Sequence, residues 1–200
     1  MNQKPIDSNV TGNPFNKYVK FSYPLESIEK IQVYLDKLNH NWKPGKSFNP
    51  NGYNSDTSYR DCVISWIEDK YIKDFIFSQF IRANQIGGWN FIIDGMEDLQ
   101  YTIYHGDKNN HYDWHHDYLT EGNKCRKLSL SLMLSQFDQD YDGGMFQQRY
   151  FSSSEIITND ISLNKGEVLI FPPHMQHRVS PVTSGIRKVI VAWAWGPPYT

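Results

Sequence analysis

After Gly88 the sequence breaks into short apolar or alternating runs: WNFIID, LQYTIY, YDWHHDY, KLSLSLMLS, GGMFQQRYF, SEIITND, EVLIFPP, HRVSPV and RKVIVAWAW. Turn signals separate them, among them His105-Gly106-Asp107, Glu121-Gly122-Asn123, Asp142-Gly143-Gly144 and Asn164-Lys165-Gly166. Each run is too short for a helix, but long enough for a strand that offers one face to a core. Many such strands in series predict an all-β sandwich or barrel.

Upstream the texture differs. Residues 1 to about 20 are polar, with Pro5, Gly12 and Pro14, and read as a loose or strand-like lead-in. From Pro24 to about Leu38 the apolar residues Leu25, Ile28, Ile31, Val33, Tyr34, Leu35 and Leu38 recur near helical spacing, with Pro24 suited to an early helix position. Asn39 to Tyr59 is rich in Asn, Gly, Pro and Ser and reads as a long loop. A second helix is expected from Ile67 to Ala83, stopped by Gly87-Gly88. The picture is two helices packed on one side of a jelly-roll core, with no internal repeat.

A chain of 200 residues has room for one domain. We expect an N-terminal helical support region over 1–97 and a jelly-roll core over 98–198. With a net charge of −2, the totals carry no footprint for nucleic acid, and the cluster Lys124, Arg126 and Lys127 reads first as a solvated loop. Cys62 and Cys125 are too few for a disulfide framework and imply reduced thiols. The start MNQKPIDSNV lacks the apolar run of a signal peptide, and no segment reaches membrane-span length. The expectation is a cytoplasmic protein with no membrane partner.

The chemistry is concentrated in Tyr112-Asp113-Trp114-His115-His116-Asp117-Tyr118. Residues two apart on a strand share a face, so His115 and Asp117 would project together and His116 away. A third ligand must come from elsewhere, and His177 in FPPHMQHRV opens a later strand. Two imidazoles and a carboxylate on one side of a metal leave its other positions open, as a non-haem iron(II) oxygenase requires. An H-x-D pair alone is weak evidence among seven histidines. Arg187, ten positions after His177, opens the apolar strand KVIVAWAW. Alone it reads as a strand-end charge in solvent. Beside the triad it reads as the bidentate partner of the distal carboxylate of 2-oxoglutarate. His111 and His174 fall in expected turns, and the ten-residue spacing to Arg187 favours His177 over His174.

Taken together, QYTIYHGDKNNHYDWHHD, RKLSLSLMLS, YDGGMF and GEVLIFPPHMQHRVSPVTSGIRKVIVAWAWGP resemble the 2-oxoglutarate/Fe(II)-dependent dioxygenase superfamily, in its prolyl 4-hydroxylase-like (PKHD-type) branch. The resemblance covers Gln100 to Pro198 and implies a double-stranded β-helix. It places the metal on His115, Asp117 and His177, and the co-substrate on Arg187 and Tyr104. It places substrate against Tyr112, Arg126 and Trp193. Where some relatives carry a tyrosine for the co-substrate, this chain reads Leu132-Met133. Asp117 keeps the carboxylate that related halogenases lack, so hydroxylation is implied. The implied cofactors are Fe(II), 2-oxoglutarate and O2, with ascorbate as a candidate reductant. The implied substrate is a prolyl residue of a peptide or protein. Alternatives are the same chemistry on a free amino acid, another small molecule or a nucleobase, or a cupin-like metal-binding module without oxygenase activity. No nucleic-acid partner is expected.

Overall fold

The structure is a computed structural model describing residues 17–49, 52–54, 56–152 and 155–199. The expectation for the first sixteen residues falls outside the described residues. In chain order the early strands are β1 (Val19–Ser22), β2 (Lys43–Pro44), β3 (Ser47–Asn49), β4 (Gly52–Asn54), β5 (Arg60–Asp61) and β6 (Val63–Ile67). Then come β7 (Gly95–Met96), β8 (Leu99–His105), β9 (His111–His115), β10 (Thr120–Glu121), β11 (Lys124–Met133) and β12 (Tyr141–Gly143). The chain closes with β13 (Phe146–Ser152), β14 (Glu155–Ile161), β15 (Glu167–Phe171), β16 (Gln176–Val179) and β17 (Val182–Gly196). Helix α1 spans Leu25–Leu35 and α2 spans Lys70–Ile86.

The larger sheet runs β1-β15-β11-β17-β8-β6-β2, and the smaller runs β14-β13-β16-β9-β5. Every pairing within these two sheets is antiparallel, and the two inner faces meet as a jelly roll. The 15-residue β17 shows how the sequence divides the interior. Its residues Ile190, Ala192 and Ala194 pack in one core with Ile28, Leu35, Ile76 and Phe80 of the helices. Val189 belongs to a second core between the sheets, with Tyr104, Phe146 and Phe171. Alternation along one strand thus feeds two cores.

Helix α1 turns Ile28, Ile31 and Leu35 onto the sheet, as its spacing predicts. Full burial of each such side chain contributes about 1.5–3 kcal/mol. Helix α2 begins three residues later than expected, because Ile67 completes β6 and Asp69 caps the helix. The Asp69 carboxylate accepts from the Ile72 backbone N–H at 3.1 Å and from the Tyr34 hydroxyl at 2.7 Å. Asp69→Ala is expected to lower unfolding free energy by about 1 kcal/mol, read as a shifted urea midpoint at unchanged slope. An unmoved midpoint would show the cap contributes nothing.

Two expectations need correction. WNFIID is irregular backbone rather than a strand. Asn84 of α2 takes over the pairing role: its side-chain amide donates to Phe91 O at 2.8 Å and its oxygen accepts from Phe91 N at 2.9 Å. Asn90, at φ 52°, bends the chain away from extended geometry. The expected loop from Asn39 to Tyr59 contains β2 and the β3–β4 pair, in which Phe48 is the Cα partner of Tyr53. Positions 50, 51 and 55 of that stretch lie outside the described residues. Among the described residues no helix is long and apolar enough to cross a membrane.

Candidate metal centre

Strands β9 and β16 run antiparallel with His115 and His177 as direct Cα partners, so the two imidazoles meet with ring centroids 4.1 Å apart. Regular alternation would turn Tyr112 and His115 to opposite faces. The register shifts between His177 and Val179, whose partner is Tyr112, so β9 holds one residue more than β16 over this span. That bulge returns Tyr112 to the face of His115. The phenol ring lies flat on the imidazole, 3.5 Å between centroids and 12° between planes.

Asp117 reaches the same place by a route that strand alternation does not describe. Strand β9 ends at His115, and Asp117 follows on irregular backbone anchored by its N–H to Pro173 O at 2.9 Å. The proline-rich turn before β16 therefore sets the height of the carboxylate. His116 is exposed, its Nδ1 2.7 Å from the carbonyl of His174, which is exposed too. His111 opens β9 with its ring between the carbonyls of Asn109 and Ser58.

His115, Asp117 and His177 are buried, and their candidate ligand atoms all lie within 4.8 Å of one another. Asp117 Oδ1 is 3.7 Å from His115 Nε2, and Oδ2 is 3.4 Å from His177 Nε2. Each Nδ1 faces a backbone carbonyl, Asp113 O at 2.7 Å for His115 and Met175 O at 2.9 Å for His177. With the proton on Nδ1, both Nε2 lone pairs point at the shared space, the tautomer a metal-binding histidine needs. Burial, reinforced by His177, holds the His115 imidazole well below its ordinary pKa, so it is neutral at pH 7. Burial alone would raise the Asp117 carboxyl; His177, then His115 and Arg126, outweigh it and bring the value down to about 2. The Trp193 indole N–H acts in the same direction, although its Nε1 has no partner in hydrogen-bond geometry. Two imidazoles and one carboxylate on one side of an open space suit a divalent iron with positions left for other ligands.

That space is a cavity of about 810 Å³ between the two sheets, within the size range of small-molecule sites. Tyr104, Tyr112, Arg126 and Trp193 line it along with the triad. Arg126 faces it only because β11 is irregular. The pairing with β17 passes from Arg126↔Trp195 to Leu128↔Ala194, leaving Lys127 as an extra residue. Without that bulge Arg126 would share the helix-facing side of Leu128 and Leu130. Its guanidinium binds both oxygens of Glu97, at 2.6 and 2.7 Å, donates to Asp117 O at 3.1 Å and lies 4.0 Å from the Trp193 ring.

Glu97 and Arg60 are site residues that sequence reasoning missed. Glu97 also accepts from the Trp195 indole at 2.7 Å, so it fixes two side chains at the cavity. Arg60 is buried with its guanidinium 4.4 Å from the Tyr112 ring, on bonds to Lys46 O and Gln100 Oε1. Arginine followed at two-residue steps by the inward Cys62 and Ile64 was the available signal.

Arg187 does not line the large cavity. It borders a second pocket of about 10 Å³ with Tyr141 and Gly144, and Phe146 lines both spaces. It is only 2% exposed, and its Nε and Nη1 have no hydrogen-bond partner. Its Cα partner is Tyr104, whose ring centroid lies 5.2 Å from the guanidinium carbon. Tyr104 lines the large cavity and feels both Arg187 and Asp117, so it spans the interval between the charged groups. Buried donors without partners cost about 1–3 kcal/mol each, so this arginine is poised for an anion.

Residues 99–195 match the family described as the 2OG-Fe(II) oxygenase superfamily. A PKHD-type hydroxylase of Synechococcus sp. (strain CC9311) is 38% identical over 96 residues, covering 47% of this chain and 40% of the relative. A PKHD-type hydroxylase of Prochlorococcus marinus (strain MIT 9301) is 26% identical over 180 residues, 84% of this chain and 72% of the relative. The chain spans 35% and 40% of the length of the first two curated relatives that it matches, both from Synechococcus. Among solved structures, a Pseudomonas putida prolyl-4-hydroxylase superposes with a TM-score of 0.64 at 16% identity, covering 89% of this chain and 91% of that one. A viral collagen prolyl hydroxylase from Paramecium Bursaria Chlorella virus-1 gives 0.63 at 16% identity, covering 94% and 99%. At these identities the likeness shows a common jelly-roll fold. The stretch similar to the 2OG-Fe(II) oxygenase superfamily spans the strands that bear His115, His177 and Arg187.

Proposed function

We propose that the protein is an Fe(II)- and 2-oxoglutarate-dependent dioxygenase that hydroxylates a prolyl residue in a peptide or protein. The observation that carries the reading is Arg187: a buried guanidinium with two unpartnered donors, beyond a cluster of two histidines and an aspartate. A metal-binding module has no use for a second, buried cation. A dicarboxylate that chelates a metal at one end and needs a fork of N–H donors at the other does.

When bound, Fe(II) with 2-oxoglutarate and O2 supplies the oxidising power to insert oxygen into a C–H bond, with succinate and CO2 released. The chain's own residues bind and orient. His115, Asp117 and His177 hold the metal from one side. Arg187 fixes the distal carboxylate, and Tyr104 lines the path between. Tyr112, flat on His115, keeps that imidazole from turning. At the cavity wall, Glu97 holds the Arg126 guanidinium over the Trp193 ring, which gives a substrate amide a rigid cation and an aromatic surface. The solved neighbours that are prolyl hydroxylases favour a prolyl target, and one of them, from Trichoplax adhaerens, is in complex with a peptide fragment.

The test is incubation with Fe(II), 2-oxoglutarate, O2 and proline-containing peptides, followed by mass spectrometry. A gain of one oxygen on proline, matched by succinate, is the expected result. Oxygen gained by free proline and by no peptide would remove the peptide from the reading. Absence of anaerobic 2-oxoglutarate binding to metal-loaded, folded protein would overturn the oxygenase reading itself.

A further inference from the structure

Arg187 has a neighbour whose position is set by two unusual backbone turns. Strand β12 pairs with the start of β17, with Tyr141 opposite Gly185 and so two residues from Arg187, on the same face. Gly185 is at φ 67°, and a Cβ there would lie 2.1 Å from Asp140 O and 2.8 Å from Tyr141 Cα. Only glycine lets β12 approach so closely at that angle. Just past β12, Gly144 is at φ 57°, and a Cβ there would meet Arg187 Cδ at 2.9 Å and Tyr141 Cε2 at 3.3 Å. The arginine stem and the phenol ring therefore converge on one missing side chain. Both residues line the 10 Å³ pocket, together with Phe146 from the wall of the metal cavity. Met133, buried on the neighbouring β11 in the same core, offers a thioether and no donor. Tyr141 is buried and its ring packs edge-on to Phe137, 5.7 Å between centroids.

We propose that Tyr141 is the second donor of the carboxylate receptor built on Arg187, its hydroxyl binding the distal carboxylate of 2-oxoglutarate. The assignment rests on the proposed reading of Arg187. Burial keeps the phenol protonated, more strongly than Arg187 opposes it, so the O–H is available to donate. A carboxylate seated there would receive a planar fork from the arginine and a single hydroxyl from the side, which fixes its plane as well as its position. Tyr104 lies on the path toward the metal, whereas Tyr141 shares the small pocket with the guanidinium.

Binding to the full chain loaded with Mn(II), without O2, tests this by calorimetry with two ligands. 2-Oxoglutarate and 2-oxopentanoate present the same chelating end, but the second has a methyl group in place of the distal carboxylate. Tyr141→Phe keeps the ring and its packing on Phe137. It is expected to weaken 2-oxoglutarate about tenfold, the effect of one hydrogen bond to a charged group, and to leave 2-oxopentanoate unchanged. Equal weakening of both ligands would assign Tyr141 to packing and overturn the proposal, as would unchanged 2-oxoglutarate affinity in the variant. Wild type that does not prefer 2-oxoglutarate to 2-oxopentanoate would overturn the reading of Arg187, and this assignment with it.

Discussion

Arg187→Met is expected to cost the protein its co-substrate while making its fold more stable. The first effect follows from leaving a carboxylate without its buried, charged partner, a loss of about 2–5 kcal/mol. The 2-oxoglutarate dissociation constant should therefore rise by at least about 30-fold, and by up to several thousandfold. The second follows from what the arginine lacks. Its Nε and Nη1 have no hydrogen-bond partner, and it is the largest fully buried side chain among the described residues. A methionine of comparable reach would remove a desolvated charge and restore apolar packing among Val182, Tyr141 and Phe146. A gain on the order of 1 kcal/mol, about 2–4 °C in thermal midpoint, is the expectation. An arginine kept for structure predicts the reverse, a destabilised variant with normal co-substrate affinity. Paired thermal melts and anaerobic titrations separate the two.

Asp117→Ala should abolish turnover, by at least about a thousandfold, and weaken Fe(II) by more than the 10–100-fold typical of outer-shell changes. The fold should survive. Asp117 is anchored through its backbone N–H to Pro173, a bond that alanine retains. Two neighbouring histidines remain buried, so residual weak metal binding through two nitrogens is expected. The measurements are Fe(II) affinity, succinate release and circular dichroism of the metal-free variant. Full activity in Asp117→Ala would show that the carboxylate belongs to the local fold and that the metal, if any, is held elsewhere.

Much of the fold was legible because it depends on local periodicity. Ile28, Ile31 and Leu35 announce the inner face of α1, and the alternation in RKVIVAWAW announces a strand with two different sides. What failed did so where a side chain replaced a regular partner. Asn84 satisfies Phe91 and keeps WNFIID out of the sheet, and nothing within those six letters shows it. At the site, the gathering of His115, Asp117 and His177 was readable from residue type and spacing, but the path of the backbone between them was not. The bulge that brings Tyr112 onto His115 depends on the register of β16, some sixty residues away in the chain. The Arg126–Glu97 pair likewise joins positions 29 apart, through a bulge at Lys127 that no local pattern marks.

Strand β17 also works as a yardstick. It carries Arg187 and, six residues on, Trp193 on the same face, about 20 Å apart at the rise of an extended strand. The depth of the Arg187 guanidinium and the position of the Trp193 ring are thus marks on one rigid rod, braced on both sides by β11 and β8. Substitutions can change what stands at a mark. An inserted residue between them would exchange the cavity and helix faces of every later side chain, unless a bulge took it up as Lys127 is taken up in β11.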